Sequence, residues 1–226
     1  METTFEALEL GWLRKYSTKK SAFSGQTYLP IKRTFDLTLV ILTLPVWLPL
    51  IGIIALLIRV SSPGAPVFFK QNRLGKGGKN YSIYKFRTMV PNAEALIEKY
   101  AHLNELEWPD FKISNDPRVT PLGKILRRTS LDELPQLFNV LRGEMSLVGP
   151  RPTIFGSDDY HLWHTGRLDV LPGLTGLWQV TARGFDVDFD QKSRLDIAYV
   201  ERQCLSLDID ILLRTIGVII KGQGSY

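Results

Sequence analysis

Asp132 and Glu133 are neighbouring carboxylates, with Arg127 and Arg128 just upstream and Arg151 downstream between Pro150 and Pro152. Carboxylates beside fixed arginines suit chemistry on a phosphate ester. The acids can hold a divalent metal or attack phosphorus, and guanidinium groups fork onto phosphate oxygens. Each proline fixes φ, and Pro152 pushes Arg151 toward extended backbone, so this arginine is positioned by its own chain.

A purely structural role fits the same acids. Leu134, Leu137, Phe138 and Leu141 fall at i, i+3, i+4 and i+7, the pattern of an amphipathic helix. Ser130 and Glu133 have capping-box spacing, and acids in a first turn suit the helix dipole, which would also keep Asp132 ionised. Pro135 is the fifth helical residue if Ser130 is the N-cap, and falls in the tolerant first turn if Asp132 is.

Other elements must carry these residues. Val67 to Gln71 and Tyr81 to Thr88 read as strands joined by a turn at 75–79, an antiparallel hairpin. Gly75-Lys-Gly-Gly-Lys-Asn80 is superficially like a phosphate loop, but lacks its spacing and a following apolar helix. Alternation puts Lys85 and Arg87 on one strand face. Residues 92–103 predict an amphipathic helix, and Thr120-Pro121 predicts the cap and first turn of a helix running to Arg128. Asp186 to Asp190 lacks the glycine and glutamate of a calcium loop and reads as a helix start. His161 and His164 lack a third ligand at suggestive spacing, so they do not make a metal site. Residues 206–221 have one broad apolar face, short for a span and suited to an interface or a core. Near the start, Phe5, Leu8, Trp12 and Tyr16 share a face with basic residues following, which fits an interfacial or a packing helix.

Leu37 to Ile58 is 22 residues without a charge. As a helix it would reach roughly 33 Å, enough to cross a bilayer. Pro45 and Pro49 predict a break or sharp bend within it. Basic residues flank both ends (Arg14, Lys15, Lys32 and Arg33 before; Arg59, Lys70, Arg73 and Lys76 after), without the one-sided excess of a spanning segment. A re-entrant hairpin with both ends in the cytoplasm accounts for that symmetry.

Ser130-Leu-Asp-Glu-Leu-Pro-Gln136 and Ser146-Leu-Val-Gly-Pro-Arg-Pro152 resemble the monotopic phosphoglycosyl transferases among the bacterial sugar transferases. Lys85-Phe-Arg-Thr-Met89, the segment 172–180 and Asp196 to Tyr199 are similar to further stretches of that family. The resemblance implies an α+β fold: a mostly helical membrane-associated catalytic domain with a small antiparallel hairpin and a helix-break-helix anchor. It divides the chain into an N-terminal helix and linker (1–30), a re-entrant membrane helix (31–60) and a cytoplasmic transferase domain (61–226). It implies a UDP-sugar donor, undecaprenyl phosphate as acceptor and Mg²⁺ as cofactor, at the cytoplasmic face of a bacterial inner membrane. By resemblance Asp132 is the nucleophile and Glu133 a metal ligand or base. Arg127, Arg151, Lys85 and Arg87 hold substrate phosphates, and Pro150, Pro152, Gln179 and Arg183 are candidates for the nucleotide sugar. The family usually has glycine before that last arginine, where this chain has Ala182. The ending is similar to the hexose-1-phosphate branch that begins exopolysaccharide, capsule or O-antigen repeats. A homo-oligomer is compatible with all of this.

The formal net charge is +5, which suits an anionic partner, whether membrane, nucleotide or nucleic acid. No nucleic-acid motif accompanies it. A non-catalytic membrane scaffold would explain the apolar run but not the acid–arginine constellation. The single cysteine, Cys204, allows no internal disulfide and fits a reducing compartment.

Overall fold

The computed structural model describes residues 10–16, 27–105, 113, 115–153, 161–182, 185 and 187–221. Its longest element is helix α1 (Tyr28–Ser61), 34 residues, or roughly 51 Å at ~1.5 Å per residue. Among the described residues it is the one helix long and apolar enough to cross a membrane. The expected break does not take the form of lost helix, because helical backbone runs through both Pro45 and Pro49. Side chains supply donors to the turn before Pro45. Thr43 Oγ1 donates to the Leu39 carbonyl at 2.7 Å and Trp47 Nε1 to the Val40 carbonyl at 2.9 Å.

The buried positions of α1 explain how it sits. Tyr28, Lys32, Asp36 and Val40 form one stripe, which resumes at Trp47, Ile51, Ile54 and Ile58. The helix therefore lies against the rest of the chain from end to end. Its other faces expose Ile41, Leu42, Val46, Ile53, Leu56 and Val60.

The polar half of the stripe is tied down by charge. Asp208, fully buried, accepts from Lys32 Nζ at 2.8 Å, Tyr28 Oη at 2.6 Å and Tyr199 Oη at 2.7 Å. Asp36 accepts from Ser146 Oγ at 2.6 Å. Arg33 donates to the carbonyls of Val140 and Leu141 at 2.6 and 3.0 Å.

The hairpin forms as expected from β1 (Phe68–Leu74) and β2 (Asn80–Phe86), antiparallel with Phe69 opposite Lys85. Gly77 and Gly78 take positive φ in the turn between them. The expected helix at 92–103 is mostly absent: only α2 (Ile97–Tyr100) and a 3-10 turn at Ala101–Leu103 form. Ile97 and Leu103 stay exposed, so no packed face supports a longer helix. Helix α3 (Pro121–Arg128) starts as predicted, with Thr120 Oγ1 accepting from the Gly123 amide at 2.9 Å.

The segment carrying the acids is not one α-helix. It is a 3-10 helix at Leu131–Gln136 followed by α4 (Leu137–Arg142). Ser130 turns into left-handed backbone (φ 56°) and its side chain makes no capping bond. Pro135 brings no amide to the 3-10 segment.

A second, parallel pairing joins β3 (Ser146–Val148) to β4 (Gly173–Thr175), which the sequence pattern did not single out. Their approach requires glycine: a Cβ on Gly173 would lie 2.1 Å from the Gly149 nitrogen. After β4 come α5 (Leu177–Thr181), α6 (Phe189–Arg202) and α7 (Leu205–Ile220). Asp188 caps α6 with a capping box to Gln191, the helix start expected there; Asp186 itself lies outside the described residues. Helix α7 buries Leu207 and Ile211 in the core and exposes Leu213, Ile216 and Ile220. The described N-terminal segment packs on α7: Leu13 is buried, Trp12 lies under Arg214 at 3.9 Å and Lys15 pairs with Asp210 at 3.1 Å. Phe5 and Leu8 lie outside the described residues.

Asp208 neutralises a buried lysine, and removing one partner of such a pair costs about 3–5 kcal/mol. Asp208→Leu is therefore expected to lower the thermal midpoint sharply in detergent, and adding Lys32→Met to recover much of the loss. Equal midpoints for wild type and Asp208→Leu would contradict this account.

Candidate functional site

Three segments meet at Glu133. Strand β2 brings Lys85, whose Nζ lies 2.8 Å from Glu133 Oε1. The loop after β3 brings Arg151, which forks onto Glu133 at 2.7 and 3.3 Å. Asn139 on α4 locks that helix to the strand, donating to the Ser82 carbonyl at 2.7 Å and accepting from the Tyr84 amide at 3.3 Å. Both oxygens of Glu133 are thus engaged by cations.

Asp132, one residue earlier, is different. Its carboxylate accepts no hydrogen bond among the described residues, although Lys85, Arg127 and Arg151 all act on it electrostatically. Arg127 is held by Thr88 Oγ1, which accepts from its Nε at 2.9 Å. That contact depends on α3 meeting the end of the hairpin: Thr120 N donates to the Thr88 carbonyl at 2.9 Å, and a Cβ on Gly123 would lie 2.0 Å from that same oxygen.

The two acids are driven apart electrostatically. Burial works to raise Glu133, but the Arg151 and Lys85 charges outweigh it and hold it well below the usual carboxylate range. Burial and the Glu133 charge raise Asp132 above that range, against the pull of the surrounding cations. The dipole expected to favour the ionised form is outweighed.

The Pro-Arg-Pro loop is fixed through its acceptors. Pro150 O accepts from the Gly173 amide at 2.8 Å, Arg151 O from Arg167 Nη2 at 2.8 Å and Pro152 O from Arg73 Nη1 at 3.2 Å. Arg167 also pairs with Asp196, both almost fully buried. Burial pushes Asp196 up to about 6 despite that partner.

The structure thus brings Asp132, Glu133, Lys85, Arg127 and Arg151 together. Arg87 lies just past the end of β2, its amide donating to the Val67 carbonyl at 2.9 Å and its Nη2 to the Ser62 carbonyl at 3.2 Å. Pro150 and Pro152 frame the cluster by their carbonyls. Gln179 falls on α5; it is buried and its amide donates to the Leu174 carbonyl at 3.5 Å, with no bond to the cluster among the described residues. Arg183 lies outside the described residues. Sequence reasoning missed Arg73, Asn139 and Arg167, whose partners are far away in the chain. Asp196 was visible only as part of the Asp-x-x-Tyr resemblance.

His164 Nδ1 accepts from the His161 amide at 3.2 Å, leaving Nε2–H to Asp190 at 2.8 Å. Among the described residues no group of three or more His, Cys, Asp or Glu could hold a metal ion.

A paired carboxylate within a cage of cations, set against a long apolar helix, defines a membrane-associated protein suited to phosphate-ester chemistry. The bacterial sugar transferase profile matches residues 27–222, and the chain belongs to that family. It is 42% identical over 207 residues, 87% of its length, to undecaprenyl-phosphate galactose phosphotransferase of Salmonella typhimurium. It is 39% identical over 213 residues, 93% of its length, to galactosyl transferase CpsE of Streptococcus agalactiae. The chain spans less than half of these relatives, 42% and 46% respectively. It spans 72% of UDP-glucose:undecaprenyl-phosphate glucose-1-phosphate transferase of Caulobacter vibrioides, at 40% identity over 205 residues, 86% of this chain.

The raised Asp196 predicts a pH signature. Its folded value of about 6 exceeds the ordinary carboxylate value of ~3.9, so the folded chain binds the proton more tightly than the unfolded chain. The stabilisation is full below the ordinary value and is lost as pH rises through about 6. Unfolding midpoints measured across that window should fall with pH in wild type, and Asp196→Asn should flatten the slope. An unchanged slope would assign the titration to another group.

Proposed function

We propose that the chain transfers a sugar-1-phosphate, of hexose type, from a UDP-sugar to undecaprenyl phosphate with release of UMP, the first membrane step of a repeat-unit polysaccharide. The observation that carries the reading is the unequal pair: Glu133 is neutralised by Lys85 and Arg151, and Asp132 beside them accepts no hydrogen bond among the described residues. The activities for which the Salmonella and Caulobacter relatives are named support the substrate classes.

In this mechanism a carboxylate oxygen of Asp132 attacks the sugar-bearing phosphorus. The bridging P–O bond breaks and UMP departs with that oxygen. A phosphate oxygen of the lipid then attacks the same phosphorus, the aspartyl bond breaks, and Asp132 returns as carboxylate. A carboxylate raised by burial is a stronger nucleophile once ionised. Arg127 and Arg151 stabilise charge on the transferring phosphate. Three backbone acceptor contacts fix the loop that carries Arg151, and its guanidinium, forked onto Glu133, offers its remaining N–H groups to the phosphate. Glu133 aligns Lys85 and Arg151, and serves as metal ligand or base.

The residues present suit Mg²⁺, since Asp132 beside Glu133 has carboxylate oxygens that accept no hydrogen bond among the described residues. Two carboxylates are too few for a protein cage, but magnesium is ordinarily held by one or two carboxylates plus substrate phosphates and water. Asp132 and Glu133 would hold it, and when bound it would offset diphosphate charge.

Helix α1 serves as a re-entrant anchor with both ends cytoplasmic. Its buried stripe continues past Pro49 to Ile58, whereas a spanning helix would leave the domain. The exposed faces of α1 and α7 supply the lipid contact.

Two experiments test this. Asp132→Asn keeps the shape and removes the attacking oxygen, so turnover should be abolished, together with the covalent adduct formed from radiolabelled UDP-sugar without acceptor. Adduct persisting in Asp132→Asn, or intersecting initial-rate lines with no adduct in wild type, would exclude the covalent route. For the anchor, cysteines at positions 20 and 76 should both resist a membrane-impermeant thiol reagent in intact cells and react after lysis. Labelling of only the first site in intact cells would establish a spanning helix.

A further inference from the structure

Most cations around the site have a carboxylate. Lys85 and Arg151 share Glu133, Arg118 has Asp116 at 2.7 Å and Arg167 has Asp196. Arg127, held by Thr88 Oγ1, does not, and neither do Arg59 and Arg87, among the described residues. Arg59 is exposed in the last turn of α1 and makes no hydrogen bond or ion pair there. Arg87 donates from Nη2 to the carbonyl of Ser62, three residues beyond Arg59, and its buried Nη1 has no partner. Burial lowers the Arg87 pKa, and the Arg59 charge lowers it further. The fold therefore holds two guanidinium groups close enough to repel each other, neither with a carboxylate partner among the described residues, an arrangement that a bound dianion would stabilise.

Location identifies the anion. Arg59 closes the apolar part of α1, directly after Ile53, Leu56 and Leu57 and beside Val60, which are all exposed. The pair sits where an apolar, lipid-facing surface ends. Arg87 is also two residues from Lys85, just past the end of β2, and Lys85 touches Glu133.

We propose that Arg59 and Arg87 form the binding site for the phosphate monoester headgroup of the lipid acceptor, separate from the Arg127–Arg151 site for the donor diphosphate. The inference rests on the transferase reading above and adds which phosphate goes where. The acceptor's isoprenoid chain lies along the exposed apolar face of α1, and its headgroup is presented from the membrane side toward Asp132. A dianionic monoester matches the paired guanidiniums better than the singly charged diester of a bulk phospholipid.

The test uses the full chain in neutral detergent, with undecaprenyl phosphate and whichever of UDP-galactose or UDP-glucose the wild type turns over. Arg59→Ala and Arg87→Lys should each raise the KM for undecaprenyl phosphate about tenfold, the loss expected for one charge-assisted contact. The KM for the UDP-sugar should stay within about twofold, well short of the loss of one such contact, which also shows that the variants are folded. A donor KM that rises as steeply would place the pair in the donor site and overturn the proposal. Flotation on phosphatidylcholine vesicles, with and without phosphatidylglycerol, separates the two lipid sources. Variants that lose binding to the anionic vesicles but keep the acceptor KM would make the pair a general membrane contact, which also overturns it. If wild type releases no UMP from either sugar nucleotide, the transferase reading fails and the acceptor site falls with it. That case is told apart because the wild type itself is inactive.

Discussion

Glu133 is the charge on which the site depends. Burying two adjacent carboxylates is unfavourable unless something offsets them, and here the offset is unequal. Lys85 and Arg151, 48 and 18 residues away in sequence, both close on Glu133. That draws the hairpin, the 3-10 segment and the Pro-Arg-Pro loop to one point. It also leaves Asp132 as the acid with open oxygens in the same field. Carboxylates whose environments push their pKa values apart commonly divide the work of catalysis, and the divergence here follows from contacts rather than from either residue alone.

Much of this was legible in local sequence. Thr120-Pro121 specifies the start of α3 because cap and first-turn proline act within four residues. The hairpin follows from alternating strands around Gly77 and Gly78. The stiffness of Arg151 was readable from its two prolines, but only half of it: the other half comes from Gly173, Arg167 and Arg73, which bond the three carbonyls of the loop. No local signal marks Arg167, since its partners Arg151 and Asp196 are 16 and 29 residues away.

The misreadings share a cause. Residues 92–103 have helical periodicity, but periodicity forms a helix only where a surface receives the apolar face, and none does here. The acid-bearing segment has the periodicity of one helix, yet left-handed Ser130 and amide-less Pro135 tighten its first half into 3-10 geometry. Pro45 and Pro49 were expected to break or sharply bend α1, and its backbone stays helical through both. Packing on both sides of them, with Trp47 edge-on to Phe138 at 5.3 Å, holds the helix together. In each case the intrinsic preference of a short stretch was decided by what lay against it.

Packing also couples the long apolar helix to the site. The anchor is coupled to the catalytic segments by polar groups near its start: Arg33 holds the end of α4, Asp36 holds β3 through Ser146, and Lys32 holds α7 through Asp208. Helix α4 continues directly from the 3-10 segment bearing Asp132 and Glu133, and β3 leads into the loop bearing Arg151. Near the other end of α1, Ser62 holds Arg87, two residues from Lys85. Both ends of one apolar helix thus brace opposite sides of the same carboxylate pair. A helix that merely tethered the domain would leave the site free to tilt and rise. One bonded at both ends sets the distance between the lipid-facing residues and Asp132, which a reaction between a soluble donor and a membrane-bound phosphate would require.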